Sequence, residues 1–185
     1  MKIAIDLEGT LADVHIVWVR NYNLHNGTDH TVADINKWDF YKHPDTKFVI
    51  TQKEFFDSFK KLWRESWEEI PLVEENICSI LNVLQQKHIM DIVTKTVAAY
   101  ESKEPILAWL KKNCVPYHNL ITLPIEKSKL DLDYDLIIDD DPRLAEKAKQ
   151  CQKRVLLYSC PWNQDVEDNH YMTRIHSFSE IPALV

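Results

Sequence analysis

The chain has 185 residues, 22 basic and 29 acidic, for a formal net charge of −7, and 45% of it is hydrophobic. That length suits one domain with room for an inserted subdomain, and the apolar share supports a core, which excludes a disordered chain. The acidic balance argues against a dedicated binder of duplex nucleic acid, and two glycines, Gly9 and Gly27, leave no glycine-rich linker and no dinucleotide or Walker phosphate loop.

The chain opens on Lys2-Ile3-Ala4-Ile5-Asp6, a short apolar run ending in an acid, which reads as a buried strand. It meets a charge too soon for a signal peptide, and no apolar run approaches the ~20 residues of a membrane span, so a cytoplasmic protein is expected. From Val14 to Pro71 aromatics and helical patterning dominate. Thr51 and Glu54 form a capping box, followed by Phe55, Phe59 and Leu62 on one helical face with Phe56, Trp63 and Trp67 beside them. This stretch reads as a small helical cap, residues 14–71, inserted into a core of residues 1–13 and 72–185. Ile77, Ile80, Leu81 and Leu84 predict a helix, Ile89–Val93 a strand, and Ile106, Leu107 and Leu110 a second helix. Leu120–Leu123, Leu136–Ile138 and Val155–Tyr158 predict further strands, and Asp141-Pro142 an N-cap and first-turn proline opening a helix through Lys149. Strands alternating with helices imply an α/β fold, a Rossmann-like parallel sheet with right-handed crossovers. Cys78, Cys114, Cys151 and Cys160 are scattered without a CxxC, so neither a zinc cluster nor a redox pair is expected.

Four features carry chemistry. Asp6-Leu7-Glu8-Gly9-Thr10-Leu11-Ala12-Asp13 places an acid at the carboxyl end of the first strand, where open α/β sheets bind ligands, and Gly9 permits a sharp turn out of the strand. An acidic strand end with Asp13 as a helix cap would read the same way on its own. Asp139-Asp140-Asp141 follows another apolar run, and three consecutive acids repel one another unless a cation or exposure relieves them. Asp141 is expected to cap while Asp139 or Asp140 faces a site, and hard oxygen ligands of this kind suit Mg²⁺. Thr94 ends the second strand and Lys129 lies ten residues before Asp139; a hydroxyl and an ammonium are what a bound phosphate needs. Each of these two is weak alone, since a strand-end Thr or a loop Lys is usually structural or solvated. His15, His25, His30 and His43 show no ligand spacing and receive no role.

Taken in order, a strand-end Asp with an acid two residues on, a strand-end Thr, a Lys and a strand-end Asp pair resemble the haloacid dehalogenase (HAD) superfamily over nearly the whole chain, with the cap at its first cap site. Leu11-Ala12-Asp13, Trp63, Asp135–Asp140 with Lys129 upstream, Pro161-Trp162-Asn163 and Arg174–Phe178 resemble more narrowly the 5′(3′)-deoxyribonucleotidases, the cytosolic type C 5′-nucleotidases.

The resemblance implies an Mg²⁺-dependent phosphomonoester hydrolase of nucleoside monophosphates, deoxypyrimidine ones among them, working through an aspartyl-phosphate. Asp6 would be the nucleophile and Glu8 the acid and base. Mg²⁺ would be held by Asp6, the Glu8 backbone carbonyl and Asp139 or Asp140, and Thr94 and Lys129 would hold the phosphoryl oxygens, with Lys127 as the alternative lysine. Lys103 could also reach the phosphate, or be a surface lysine. Phe55, Phe59 and Trp63 on one face are more often core than ligand site, yet the resemblance makes Trp38, Phe40 and Trp63 candidates to stack on the base. Glu8 departs from the family pattern, which has Asp there. That keeps open a member that binds nucleotide or phosphate without turnover, beside a phosphatase for another small phosphoester. The expected partner is a small-molecule phosphoester, with no duplex nucleic acid and no membrane; homodimer formation stays open.

Overall fold

The computed structural model describes residues 1–95 and 103–185. Six strands form one parallel sheet: β1 (Lys2–Ile5), β2 (Ile89–Thr94), β3 (Asn119–Thr122), β4 (Leu136–Asp139), β5 (Arg154–Tyr158) and β6 (Met172–Ile175), in the order β3-β2-β1-β4-β5-β6. The inner strands β1, β2, β4 and β5 are buried on both faces, which is why they read as apolar runs rather than alternating ones, while the edge strands β3 and β6 are more exposed. The period of two sorts the side chains. Ile3, Ile5, Met90, Ile92, Leu136, Ile138 and Leu156 enter one cluster, while Ala4, Val93, Ile137, Val155 and Leu157 enter the other.

Five helices accompany the sheet among the described residues: α1 (Val14–Asn26), α2 (Gln52–Glu65), α3 (Ile77–Gln85), α4 (Glu104–Lys112) and α5 (Leu144–Cys151). Ile77, Leu81 and Leu84 of α3 and Ile106, Trp109 and Leu110 of α4 pack on the first face; Leu144, Ala145 and Ala148 of α5 pack on the second. None of these helices is long and apolar enough to cross a membrane.

Two details differ from the sequence expectation. β6 has no apolar run to announce it: Thr173 is exposed and Arg174 half-buried, as an edge strand allows. The helix after the acidic run starts at Leu144 instead of Pro142, because Asp141 uses its side chain on the Arg143 backbone N–H at 2.9 Å and its carbonyl on the Leu144 N–H at 3.1 Å, which makes a turn.

The 14–71 segment leaves the sheet at Asp13 and returns at Pro71, and the two strands of chain lie side by side. The Asp13 N–H donates to the Pro71 carbonyl at 2.9 Å, and the Val73 N–H to the Leu11 carbonyl at 3.0 Å. Asp13 caps α1 by accepting from the Ile16 N–H, and Gly27 ends it in the left-handed conformation at φ +66°. The Thr51–Glu54 capping box opens α2. Trp18 of α1 donates its indole N–H to Ser58 Oγ of α2 at 2.8 Å. Around Trp18 sit Phe40, Phe48 and Phe55 at centroid distances of 5.2–5.5 Å, with Phe59 4.5 Å from Phe55. Most of the aromatic surplus therefore serves this segment's own packing.

Candidate active site

β1 and β4 are neighbours where the strand order reverses, and the register Ile5↔Ile138 brings Asp6 beside Asp139. The Asp6 N–H donates to the Ile138 carbonyl at 2.9 Å, which fixes the strand end. The chain then turns tightly: the Leu11 and Ala12 N–H groups both donate to the Leu7 carbonyl, and the Gly9 N–H to the Ala12 carbonyl. Gly9 has φ +81°, and a Cβ there would lie 2.5 Å from Asp140 Oδ2. This turn lets the β1 loop close against the acids of β4.

Asp6, Asp139, Asp140 and Lys129 are 7%, 1%, 0% and 4% exposed. Lys129 is presented by a single turn that Ser128 and Asp131 cap reciprocally. Its ammonium bridges Asp6 Oδ1 and Asp139 Oδ2, the latter at 2.7 Å. Asp139 Oδ1 accepts from the Asp141 N–H at 2.9 Å. Asp140 is held from three sides. Thr10 Oγ1 donates to its Oδ1 at 3.2 Å, Trp162 Nε1 to its Oδ2 at 2.9 Å, and Asn163 Nδ2 to its carbonyl at 3.0 Å. Asn163 is itself gripped by the Arg174 guanidinium, at 2.9 Å to its side-chain oxygen and 2.8 Å to its carbonyl. The Pro161-Trp162-Asn163 and Arg174 features thus form a bracket for Asp140.

The electrostatics follow from crowding three carboxylates around one ammonium in a buried place. Burial, reinforced by Asp139 and only partly opposed by Lys129, pushes Asp6 up to about 7. Burial, then Asp6 and Asp139, hold Asp140 well above the carboxylate range. Burial works against the charge on Lys129, but Asp139 and Asp6 outweigh it and keep the ammonium protonated. One oxygen each from Asp6, Asp139 and Asp140 lies within 4.8 Å of the others. Three hard oxygens with unneutralised negative charge fit a divalent cation.

These groups form one end of a cavity. Thr94, 1% exposed at the end of β2, lines it with Glu8 and Lys95. The other wall comes from the 14–71 segment, with His15, Trp38, Phe40, Tyr41, Phe55 and Phe59. Asp6, Glu8, Thr94, Lys129, Asp139, Asp140, Trp38 and Phe40 of the sequence candidates therefore meet at this cavity. Lys103 is exposed at the start of α4, and Lys127 is exposed while Lys129 is buried; neither lysine lines the cavity. Trp63 is placed elsewhere too. It is 1% exposed and donates its indole N–H to Glu8 Oε1 at 2.6 Å, so its faces are taken up in the core.

Further cavity residues shape the site beyond the sequence candidates. Lys95, next to Thr94, has its ammonium disfavoured by burial and by Lys129. Arg143 forks onto Asp141 at 2.8 and 2.7 Å and lies 5.0 Å from the Trp38 ring centroid, which holds Trp38 at the rim. His15 is kept neutral by burial, at about 3, and lies 4.2 Å from the Trp162 ring with its Nδ1 lacking a hydrogen-bond partner. Trp162 belongs to the Asp140 bracket. Adjacency to Thr94 and to the acidic run could have pointed to Lys95 and Arg143; nothing local marks His15.

The family model described as 5′ nucleotidase, deoxy (pyrimidine), cytosolic type C protein matches residues 1–185. No curated protein matches the chain by sequence. Among solved structures, a Lactobacillus delbrueckii protein described as a phosphoglycolate phosphatase superposes with TM-score 0.64 at 11% identity, over 99% of this chain and 97% of its own. YfnB of Bacillus subtilis, described as a HAD hydrolase and solved bound to magnesium, gives TM-score 0.61 at 12% identity over 99% and 97%. A Thermotoga maritima protein described as a β-phosphoglucomutase gives 0.57 at 13% over 100% and 98%. At these identities the likeness concerns the fold: the six-stranded parallel sheet is that of HAD hydrolases.

Proposed function

Because the chain belongs to the family of cytosolic type C 5′-nucleotidases, and is thus a 5′-nucleotidase-like phosphatase of the HAD superfamily, we propose that it hydrolyses nucleoside monophosphates at Asp6 with a divalent cation, Mg²⁺ foremost. The observation that carries this reading is the meeting of Asp6 with Asp139, Asp140 and the buried Lys129, in a cavity whose opposite wall is aromatic.

Asp6 attacks the phosphorus of the bound ester, and the bond from phosphorus to the leaving oxygen breaks as an aspartyl-phosphate forms. Glu8 gives its proton to the leaving alkoxide. The Glu8 carboxylate then takes a proton from water, which attacks the same phosphorus and returns Asp6 and inorganic phosphate. The Thr94 hydroxyl and the Lys129 ammonium hold phosphoryl oxygens and offset the charge that gathers there. A divalent cation held by Asp6, Asp139 or Asp140 and the Glu8 carbonyl would neutralise the remaining carboxylate charge next to the phosphoryl group. The 14–71 segment acts as a cap over the site. Trp38 at the rim offers its ring to a base, backed by Phe40, which is 1% exposed and packed against Trp18, Phe48 and Phe55, and few polar groups there would read the edge of the base.

The test is a phosphate-release screen over nucleoside monophosphates and sugar phosphates, with and without Mg²⁺, alongside Asp6→Asn. Nucleotide turnover that needs Mg²⁺ and is abolished in Asp6→Asn is expected. Release surviving Asp6→Asn overturns the covalent route, and preferred turnover of sugar phosphates overturns the substrate.

A further inference from the structure

We propose that Trp63 is the positioning residue for Glu8, fixing from helix α2 which carboxyl oxygen delivers the proton; this rests on the reading of Glu8 as proton donor. The indole Nε1 donates to Glu8 Oε1 at 2.6 Å across 55 residues of chain. An indole N–H can only donate, so Glu8 Oε1 must be the acceptor. The donor is fixed in direction. Trp63 is 1% exposed and meets the ring of Trp109 edge-on, at 6.2 Å and 80°. Trp109 is fully buried, and its own indole N–H donates to the Ile70 carbonyl at 2.8 Å. Two interlocked tryptophans therefore aim one N–H at one oxygen.

Glu carries one more rotatable bond than Asp, so its carboxyl sweeps a larger volume unless something holds it. Trp63 supplies a directed hold on one of the carboxyl's two oxygens. With the N–H on Oε1, this oxygen is the carbonyl-type oxygen of the protonated acid and the proton resides on Oε2. Oε2–H passes its proton to the leaving oxygen as the phosphorus–oxygen bond breaks. Oε2 then recovers a proton from the water that opens the aspartyl-phosphate. Proton-transfer geometry is sensitive to displacements of about 1 Å, at a cost of about 10²-fold.

Trp63→Phe keeps an aromatic ring and removes the N–H. A nucleoside monophosphate, whose alkoxide needs the proton, is compared with p-nitrophenyl phosphate, whose phenolate hardly does. The expected result is a loss of about 10–100-fold in kcat/KM on the nucleotide, little change in kcat/KM on the aryl ester, since kcat/KM stops at the forming of the aspartyl-phosphate and leaves out the water step that the two esters share, and no further loss when Trp63→Phe is added to Glu8→Gln. An equal loss in kcat/KM on both esters, or a full additional loss in the Glu8→Gln background, overturns the inference and leaves Trp63 structural. Should Trp63→Phe fail to fold, Glu8→Asp withdraws the carboxyl from the indole by one methylene and is expected to show the same ester-selective loss; full activity of Glu8→Asp on the nucleotide overturns the inference as well. Unchanged nucleotide turnover in Glu8→Gln instead removes the proton-donor reading itself. A slow Glu8→Gln with an unimpaired Trp63→Phe removes only the role of Trp63.

Discussion

Both glycines adopt positive φ, +81° at Gly9 and +66° at Gly27, yet a Cβ would meet Asp140 at Gly9 and nothing within 4 Å at Gly27. The pair separates a conformational cost from a packing cost. Gly27→Ala carries only the left-handed term, about 1–2 kcal/mol. Gly9→Ala carries that term and also drives a methyl into Asp140 Oδ2 and the Trp162 ring. Its neighbours cannot yield freely, because Asp140 is tied to Thr10, Trp162 and Asn163. Denaturant titration is expected to show Gly9→Ala clearly less stable than Gly27→Ala, and phosphate release to fail in Gly9→Ala alone. Equal activity in the two variants would mean that Asp140 has room to retreat. At this scale Asp6, Glu8, Asp139 and Asp140 stand out only as a set: an acidic strand end alone reads equally as a turn or a cap, and it is the order of these acids with Thr94 and Lys129 that singles out residues the fold brings to one cavity. Trp63 was read as a candidate to stack on the base, because its sequence offers only an aromatic on a helix face; the fold shows it buried with its N–H on Glu8.

At the level of elements, α2 begins where its sequence says it does. Thr51 Oγ1 accepts from the Glu54 N–H at 3.2 Å while Glu54 Oε2 accepts from the Thr51 N–H at 2.9 Å. Thr51→Ala removes the first of these bonds and is expected to cost about 1 kcal/mol, read as a lower denaturation midpoint. Since α2 carries Phe55 and Phe59 to the cavity, a loss many times larger would show that the 14–71 segment and the sheet unfold as one unit. Elements with a strong period or cap, such as β1, β2, β4, α2 and α3, could be read directly. β6 could not, since it is an edge strand in which only the first and last residues, Met172 and Ile175, are apolar and buried. The late start of α5 was hidden for a different reason. The Asp141 side chain can serve either a helix or a turn, and Arg143 decides for the turn by forking onto it.

For the whole molecule, the charge cluster links pH, cation and stability. The folded pKa of Asp6, about 7, lies above its ordinary 3.8, so between these values the folded chain binds a proton that the unfolded chain has released. Stability without a cation therefore falls as pH rises from about 4 to about 7, the sign being set by the greater proton binding of the folded state. A cation competes with that proton, so its stabilisation grows across the same window. The rise in thermal midpoint on adding Mg²⁺ is expected to be larger at pH 8 than at pH 6, and to shrink at both in Asp139→Asn. A rise as large at pH 6 as at pH 8 would remove Asp6 from the cation's ligands.

The strand order has a consequence for how the site comes into being. β1 lies between β2 and β4, and both follow it far along the chain; Thr10 and Asp140 are bonded across 130 residues. The centre of the sheet is thus made entirely of long-range pairings, the kind that form slowly because loop closure precedes any reward. Asp139 and Lys129 reach Asp6 only when β4 docks beside β1. Recovery of phosphate release during refolding is therefore expected to track the closing of the sheet and not the return of helix signal from α1 and α2, which rest on local hydrogen bonds.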